Sequence, residues 1–263
     1  MILDDLVSAT QKRINKEMAA TPLAAVKAAA ADQPKTNAQD IYDRFLNDGV
    51  HVIGEVKKAS PSKGIIVEDF PYLSIAEQYS AAGVTAISVL TEPDYFKGSI
   101  KYLDTITDHV DTPVLRKDFT INPYMIYQAK AAGARIILLI VAILTPAQLK
   151  EYLALAHQLG LAAIVEAHDE KEIQIALDAG AKMVGVNNRN LKNFTVSFEN
   201  SIKLRPLVPK SVAFIAESGV KTIDDVKQLA EIGVNGVLIG ETLMKSDHKA
   251  AFIEEAQGVE VRD

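Results

Sequence analysis

The chain has 263 residues, 48% of them hydrophobic, and a formal net charge of −6. That length can bury a core without covalent staples, and the lack of cysteine excludes disulfides, thiolate metal ligands and a cysteine nucleophile. With no basic block, the chain lacks the concentrated positive footprint that nucleic acids require.

The opening stretch MILDDLVSAT is acidic and has neither the basic start nor the apolar core of a signal peptide. The longest apolar run, Ile136 to Leu144, falls far short of the roughly 20 residues that span a bilayer. The expectation is a soluble cytoplasmic protein. Ile2, Leu6, Val7, Ile14 and Met18 fall near helical spacing, and Thr21-Pro22 interrupts them where Pro can open a new helix. An Ala-rich stretch from Leu23 to Ala31 follows, then a polar break at Gln33-Pro34-Lys35. Residues 1–48 are predicted to form a helical extension packed on the main body.

From residue 50 one unit recurs: a short apolar run, a polar loop, an amphipathic helix, then a small residue and Gly. Gly83, Gly133, Gly160, Gly180 and Gly233 sit where a left-handed residue stops a helix. The predicted strands are Val50–Val56, Val84–Leu90, Thr112–Arg116, Arg135–Ile140, Ala162–Glu166, Met183–Val186, Ser211–Ala216 and Gly236–Ile239. Their near-continuous apolar character fits parallel strands covered by helices. Eight such units predict an α/β fold, a closed (β/α)8 barrel (TIM barrel), with residues 1–263 as one domain. A doubly wound open sheet is the alternative, but GEVKKAS after the first strand is not a Gly-rich dinucleotide loop.

Chemistry in such barrels sits at the C-terminal strand ends. Those ends carry Glu55 and Lys57, with Ser60 beyond; Thr91-Glu92-Pro93; Lys117-Asp118-Phe119; Glu166; Asn187-Asn188-Arg189; and Glu217-Ser218-Gly219. The fourth end is apolar, through Leu138 to Leu144, and the eighth is Gly240. One terminal charge is ordinarily just solvated, but charges from most of eight strands converge on one mouth. Glutamates beside lysines there would keep the lysines protonated and could push one carboxyl upward as an acid. Ser218-Gly219 and Gly240 occupy the two loops that commonly bind phosphate through backbone N–H groups.

Taken together, GEVKKASPSKG (54–64), SVLTEPDYFKGS (88–99), PVLRKDF (113–119), ILLIVAIL (137–144), VEAHDE (165–170), GVNNRNL (185–191), IAESGV (215–220) and VLIGETLM (237–244) resemble the strand-end motifs of the indole-3-glycerol phosphate synthase family of tryptophan biosynthesis. They occur in the family's order and span nearly the whole chain. The resemblance implies a carboxy-lyase whose phosphorylated small-molecule substrate is 1-(2-carboxyphenylamino)-1-deoxyribulose 5-phosphate. Ring closure, loss of carbon dioxide and loss of water give indole-3-glycerol phosphate. No metal and no organic cofactor is expected, and no nucleic-acid or membrane partner. The expected state is a monomer, any association with other pathway enzymes being weak.

By the same resemblance, Lys117 is the general acid for ring closure. Glu55, Lys57 and Glu166 form a coupled acid–base set whose division of roles stays open. Asn187 and Glu217 complete the catalytic set. Ser60, Asn187 and Arg189 hold the anthranilate carboxylate, which an Arg fork matches, and Phe119 and Leu138 wall the aromatic ring. Ser218, Gly219, Leu238, Gly240 and Glu241 lie toward the phosphate. Many relatives have Ser where Glu241 stands; an acid there would repel phosphate, so its side chain is expected to turn away and leave its N–H. Ala142 stands where some relatives have Lys. Ser-Pro-Ser-Lys-Gly is a candidate flap, with Lys63 near the anion at most. Two rivals are kept: a phosphoribosylanthranilate isomerase-like barrel, whose usual cysteine is missing here, and a phosphosugar-binding barrel without activity.

Overall fold

The computed structural model describes residues 2–190 and 194–261; Leu191, the last residue of the GVNNRNL motif, and both ends of the predicted domain lie outside them. Eight parallel strands form the barrel: β1 His51–Val56, β2 Ala86–Leu90, β3 Val114–Lys117, β4 Ile136–Ile140, β5 Ala162–Ala167, β6 Met183–Asn187, β7 Ala213–Glu217 and β8 Gly236–Ile239. Each pairs with its neighbours in chain order, and β1 closes the ring by pairing with β2 at Ile53 and Ala86 and with β8 at His51 and Gly236. Closure on both sides of β1 overturns the open-sheet alternative.

The strand period of two sorts the side chains. Ile53, Ala86, Leu115, Ile136, Ala162, Met183, Ala213 and Leu238 point inward and fill the barrel. Val52, Ile87, Val114, Ile137, Ala163, Val184, Phe214 and Val237 point outward and are covered by helices. The covering helices are α4 Tyr72–Ala81, α5 Ile100–Thr107, α6 Pro123–Ala131, α7 Pro146–Gln158, α8 Glu170–Asp178, α9 Glu199–Leu204 and α10 Ile223–Glu231. After β8 comes a short extra helix, α11 Glu241–Lys245, before the covering helix α12 Lys249–Gln257. All five predicted helix-stopping glycines have positive φ, between 72° and 91°.

Four predicted strands stop one residue early at their functional ends, three of them before a polar residue. Lys117, Asn187 and Glu217 lie inside the ladder, with Lys117 opposite Leu90 and Asn187 opposite Glu217. Polar identity alone had suggested a loop. The backbone continues extended because the pairing partner is present, whatever the side chain.

The extension consists of α1 Ile2–Ala20, α2 Leu23–Asp32 and α3 Ala38–Leu46. Helix α3 closes the N-terminal end of the barrel. Asn37 caps it by accepting from the Gln39 N–H, and its apolar face sets Ile41, Tyr42 and Phe45 against Ile53, Ile136 and Met183. Phe45 is fully buried, and truncating such a side chain to Ala costs about 3–5 kcal/mol. Helix α1 reaches the opposite rim. Ile14 packs with Val26, Tyr124 and Met125, while Arg13 grips Asp118 at 2.8 Å and 2.9 Å and donates to the Thr91 carbonyl at 3.0 Å.

Candidate active site

The inward parity of each strand continues to its C-terminal end. Ile53 leads to Glu55, Leu115 to Lys117, Ile164 to Glu166, Gly185 to Asn187, and Ile215 to Glu217. Strand geometry therefore brings five polar side chains from five strands to one mouth, over a cavity of about 670 Å³. Ligand sites in these barrels occupy this face. Every residue given a catalytic or substrate-binding place from the sequence lines the cavity, as does Lys63: Glu55, Lys57, Ser60, Lys117, Phe119, Leu138, Glu166, Asn187, Arg189, Glu217, Ser218, Gly219, Leu238, Gly240 and Glu241.

At the floor, Lys117 Nζ lies 3.2 Å from Glu217 Oε2 and 3.5 Å from Glu166 Oε2. Both carboxylates are nearly sealed from solvent. Burial alone would lower the Lys117 pKa, but Glu217, Glu166 and Glu55 outweigh it and hold the ammonium charged well above its ordinary range. One lysine cannot neutralise two carboxylates equally. Burial tends to raise Glu166, yet Lys117 and His168, with a hydrogen bond from Asn187, bring it down to about 2. Burial raises Glu217 as well, and repulsion from Glu166 and Glu55 leaves it at about 7 in spite of Lys117. Its Oε1 has no hydrogen-bond partner. The mouth thus holds a carboxylate, an ammonium and a carboxyl group that titrates near neutrality, which suits proton transfer in both directions.

Lys57 contacts Glu55 Oε2 at the end of β1. Gly240 leaves room for them in this arrangement: a Cβ there would lie 2.3 Å from Glu55 Oε2 and 2.9 Å from Lys57 Nζ. A Cβ at Gly185 would likewise lie 2.3 Å from Glu217 Oε1. Both glycines leave room for a carboxylate.

Toward loops 7 and 8, Ser218 and Gly219 both have positive φ, 67° and 104°. For Ser218 that is a strained backbone of the kind concentrated at functional sites. Helix α10 is capped by Thr222 and Asp225, and Asp225 also accepts from the Lys221 and Thr222 N–H groups. The Lys221 and Thr222 N–H groups are therefore used within the helix cap. The N-cap of α11 is Gly240, with no side-chain capping bond. Glu241 bonds Lys245 at 2.8 Å and lies 3.9 Å from Lys63. Its side chain pairs along its own helix and stays on the cavity wall.

Loop 1 is a small antiparallel hairpin, Ala59–Ser60 against Gly64–Ile65. Arg189 lines the opposite side; its N–H donates to Asn187 Oδ1 at 3.0 Å, and its Nη1 donates to the Phe194 carbonyl at 3.4 Å. Thr91 and Glu92 turn out to be structural: Glu92 accepts from the N–H groups of Asp94, Tyr95 and Phe96.

Sequence reasoning missed several wall residues. Ile2, Leu3 and Leu6 of α1 line the cavity, as do Phe96 and Phe194. Phe96 stands 6.2 Å from Phe119 between ring centroids, so the apolar wall is a pair of rings. His168 was missed too, although an i,i+4 spacing to Glu172 across a helix start could have pointed to it. Among the described residues, no group of three or more His, Asp or Glu is arranged to hold a metal ion.

A closed barrel with a buried Lys–Glu cluster at its mouth defines a barrel enzyme with a site suited to acid–base chemistry. The family profile described as indole-3-glycerol phosphate synthase matches residues 3–256. Relatives carrying that name include one from Lacticaseibacillus paracasei, 56% identical over 260 residues and covering 97% of this chain and all of that one. One from Leuconostoc mesenteroides subsp. mesenteroides is 53% identical and covers 98% of this chain and 99% of that one. The chain belongs to the indole-3-glycerol phosphate synthase family. Among solved structures, 3-hexulose-6-phosphate synthase from Salmonella typhimurium has a TM-score of 0.64 at 14% identity, covering 79% of this chain and 97% of that chain; this is likeness of fold alone.

Proposed function

We propose that this chain carries out its family's reaction, closing the ring of 1-(2-carboxyphenylamino)-1-deoxyribulose 5-phosphate with loss of carbon dioxide and water. The observation that carries the residue roles is Lys117 between Glu166 and Glu217 on the cavity floor. As the aromatic carbon attacks the ketone, the Lys117 ammonium protonates the developing alkoxide. Glu217, 3.2 Å away and protonated in part near neutrality, can return a proton to the lysine. Loss of the carboxyl group as carbon dioxide leaves the electron pair in the ring. Departure of the hydroxyl as water then needs an acid and a base, which Lys57, Glu55 and Glu166 supply.

Arg189, Asn187 and Ser60 hold the substrate carboxylate, and Phe96 and Phe119 flank the aromatic ring. The phosphate lies against the N–H groups near Ser218, Gly219, Gly240 and Glu241. No helix among the described residues is long and apolar enough to cross a membrane; a cytoplasmic monomer acting as one unit over residues 1–263 fits this reading. Neither rival gains support: the isomerase's cysteine is absent, and a non-catalytic barrel has no use for a buried proton-transfer cluster. The purified chain, given the substrate, should produce indole fluorescence. No product under conditions where another member of the family turns over would refute the assignment.

A further inference from the structure

Loop 5 sets a histidine between two carboxylates beside the site. His168 Nε2 lies 3.0 Å from Glu166 Oε1, on the side of the carboxylate away from Lys117. The contact is at ion-pair distance but off the hydrogen-bond line, since Nε2 has no hydrogen bond of good geometry. It therefore acts through charge. His168 Nδ1 lies 3.0 Å from Glu172 Oε2, and the His168 backbone N–H donates to the same oxygen at 2.8 Å. Glu172 is fixed in the first turn of α8, where its own N–H donates to the Asp169 cap. Ring and backbone are thus clamped from one helix, and the imidazole has one orientation.

We propose that His168, clamped by Glu172, is a positioning residue that keeps Glu166 ionised and aimed at the substrate, leaving Glu217 as the carboxyl group that holds a proton. The two carboxylates contact the same lysine and are similarly buried, so Lys117 alone does not distinguish them. Beside the Asn187 hydrogen bond to Glu166 and the repulsion of Glu217 by Glu55, the difference is a second cation, which touches Glu166 and is not among the groups that shift Glu217. The other groups around His168 do not cancel this. A second cleft of about 580 Å³ beside the site is lined by His168, Glu172, Arg189, Glu199 and Lys203. Lys203 is engaged by Glu170 at 3.0 Å. Burial opposes charge on the imidazole, but Glu166 and Glu172 override it and raise His168 to about 10.

The inference rests on the reaction proposed above, and one assay series separates the two. His168→Gln keeps a polar side chain and removes the charge. Without that charge the Glu166 pKa rises, so the acid limb of the kcat profile moves to higher pH. The expected result is a shift of about one pH unit or more and a fall in kcat on the order of a hundredfold, with KM little changed. Glu172→Gln shifts the same limb by less, and the double variant matches His168→Gln because the two act as a unit. If His168→Gln does not fold, the shift in Glu172→Gln decides. An unmoved limb in a folded variant, with or without lost activity, overturns the role of His168. Absence of product from the unaltered chain overturns the reaction itself.

Discussion

Lys117 and Asp118 are adjacent in the chain and lie in opposite electrostatic surroundings. Lys117 faces the mouth, one cation among carboxylates that it cannot all satisfy. Asp118 points away and is one anion between two guanidiniums, Arg13 at 2.8 Å and Arg116 at 3.2 Å, and it also accepts from the Thr91 hydroxyl and the Phe119 N–H. Arg116 in turn donates to the Met125 carbonyl at 2.8 Å. Burial would raise the Asp118 pKa, but Arg116 and Arg13 hold it below the ordinary carboxylate range. Both oxygens of Asp118 are hydrogen-bonded, whereas the mouth keeps one carboxylate oxygen without a hydrogen-bond partner and one carboxyl group near neutrality. Equal burial thus yields a lock on one face of the strand and a proton-transfer site on the other.

The contrast is tested most strongly at Lys117. Lys117→Ala should cut turnover by about 1,000-fold or more with an unchanged circular dichroism spectrum; near-normal turnover would remove Lys117 from the acid role. Next is the lock. Asp118→Asn leaves two guanidiniums buried without an anion and should cost about 3–5 kcal/mol in denaturant melts. Because the folded pKa of Asp118 is depressed, its stabilisation is present above the unfolded value, about 4, and is lost as pH falls through the folded value. The mutant and the parent should converge in acid; a constant gap would contradict the pairing.

Glu217 carries the opposite sign. Its folded pKa, about 7, is raised, so its contribution is complete below the unfolded pKa and lost as pH rises through the folded one. Glu217→Gln should melt higher than the parent at pH 8, the advantage shrinking toward pH 4.5, and should lose turnover together with the inflection near pH 7. Unchanged melting at pH 8 would show that Glu217 is not strained in the resting site. The smallest effect is expected at the rim. Glu241→Ser removes a negative charge from the proposed phosphate loop and should lower KM a few-fold with kcat held; a higher KM would show that the acid helps the loop bind.

The barrel was legible because two periodicities alternate along the chain and glycine follows five of the covering helices. The Lys–Glu cluster was legible because Glu55 and Glu166 each end an apolar run and Lys117 follows one by a single residue, a pattern that a strand mouth explains. Helix α1 was not legible as part of the site. Its spacing shows that it has an apolar face, but Ile2, Leu3 and Leu6 reach the cavity through Arg13 docking on Asp118, a contact between residues far apart in sequence. His168 looked like one polar residue in a helix-start loop, since only the fold sets it beside Glu166. Strand ends were read short where the terminal residue was charged, because hydropathy reports the side chain and the ladder follows the backbone.

The closure of β1 onto β8 sets an order of events during folding. The first strand waits for a partner almost the whole chain away, and such distant contacts form slowly. The cavity needs that seam, because Glu55 and Lys57 meet Gly240 across it, and it needs α1 folded over the rim. When the denatured chain refolds, helical signal should return first and catalytic activity last, making turnover a reporter of ring completion.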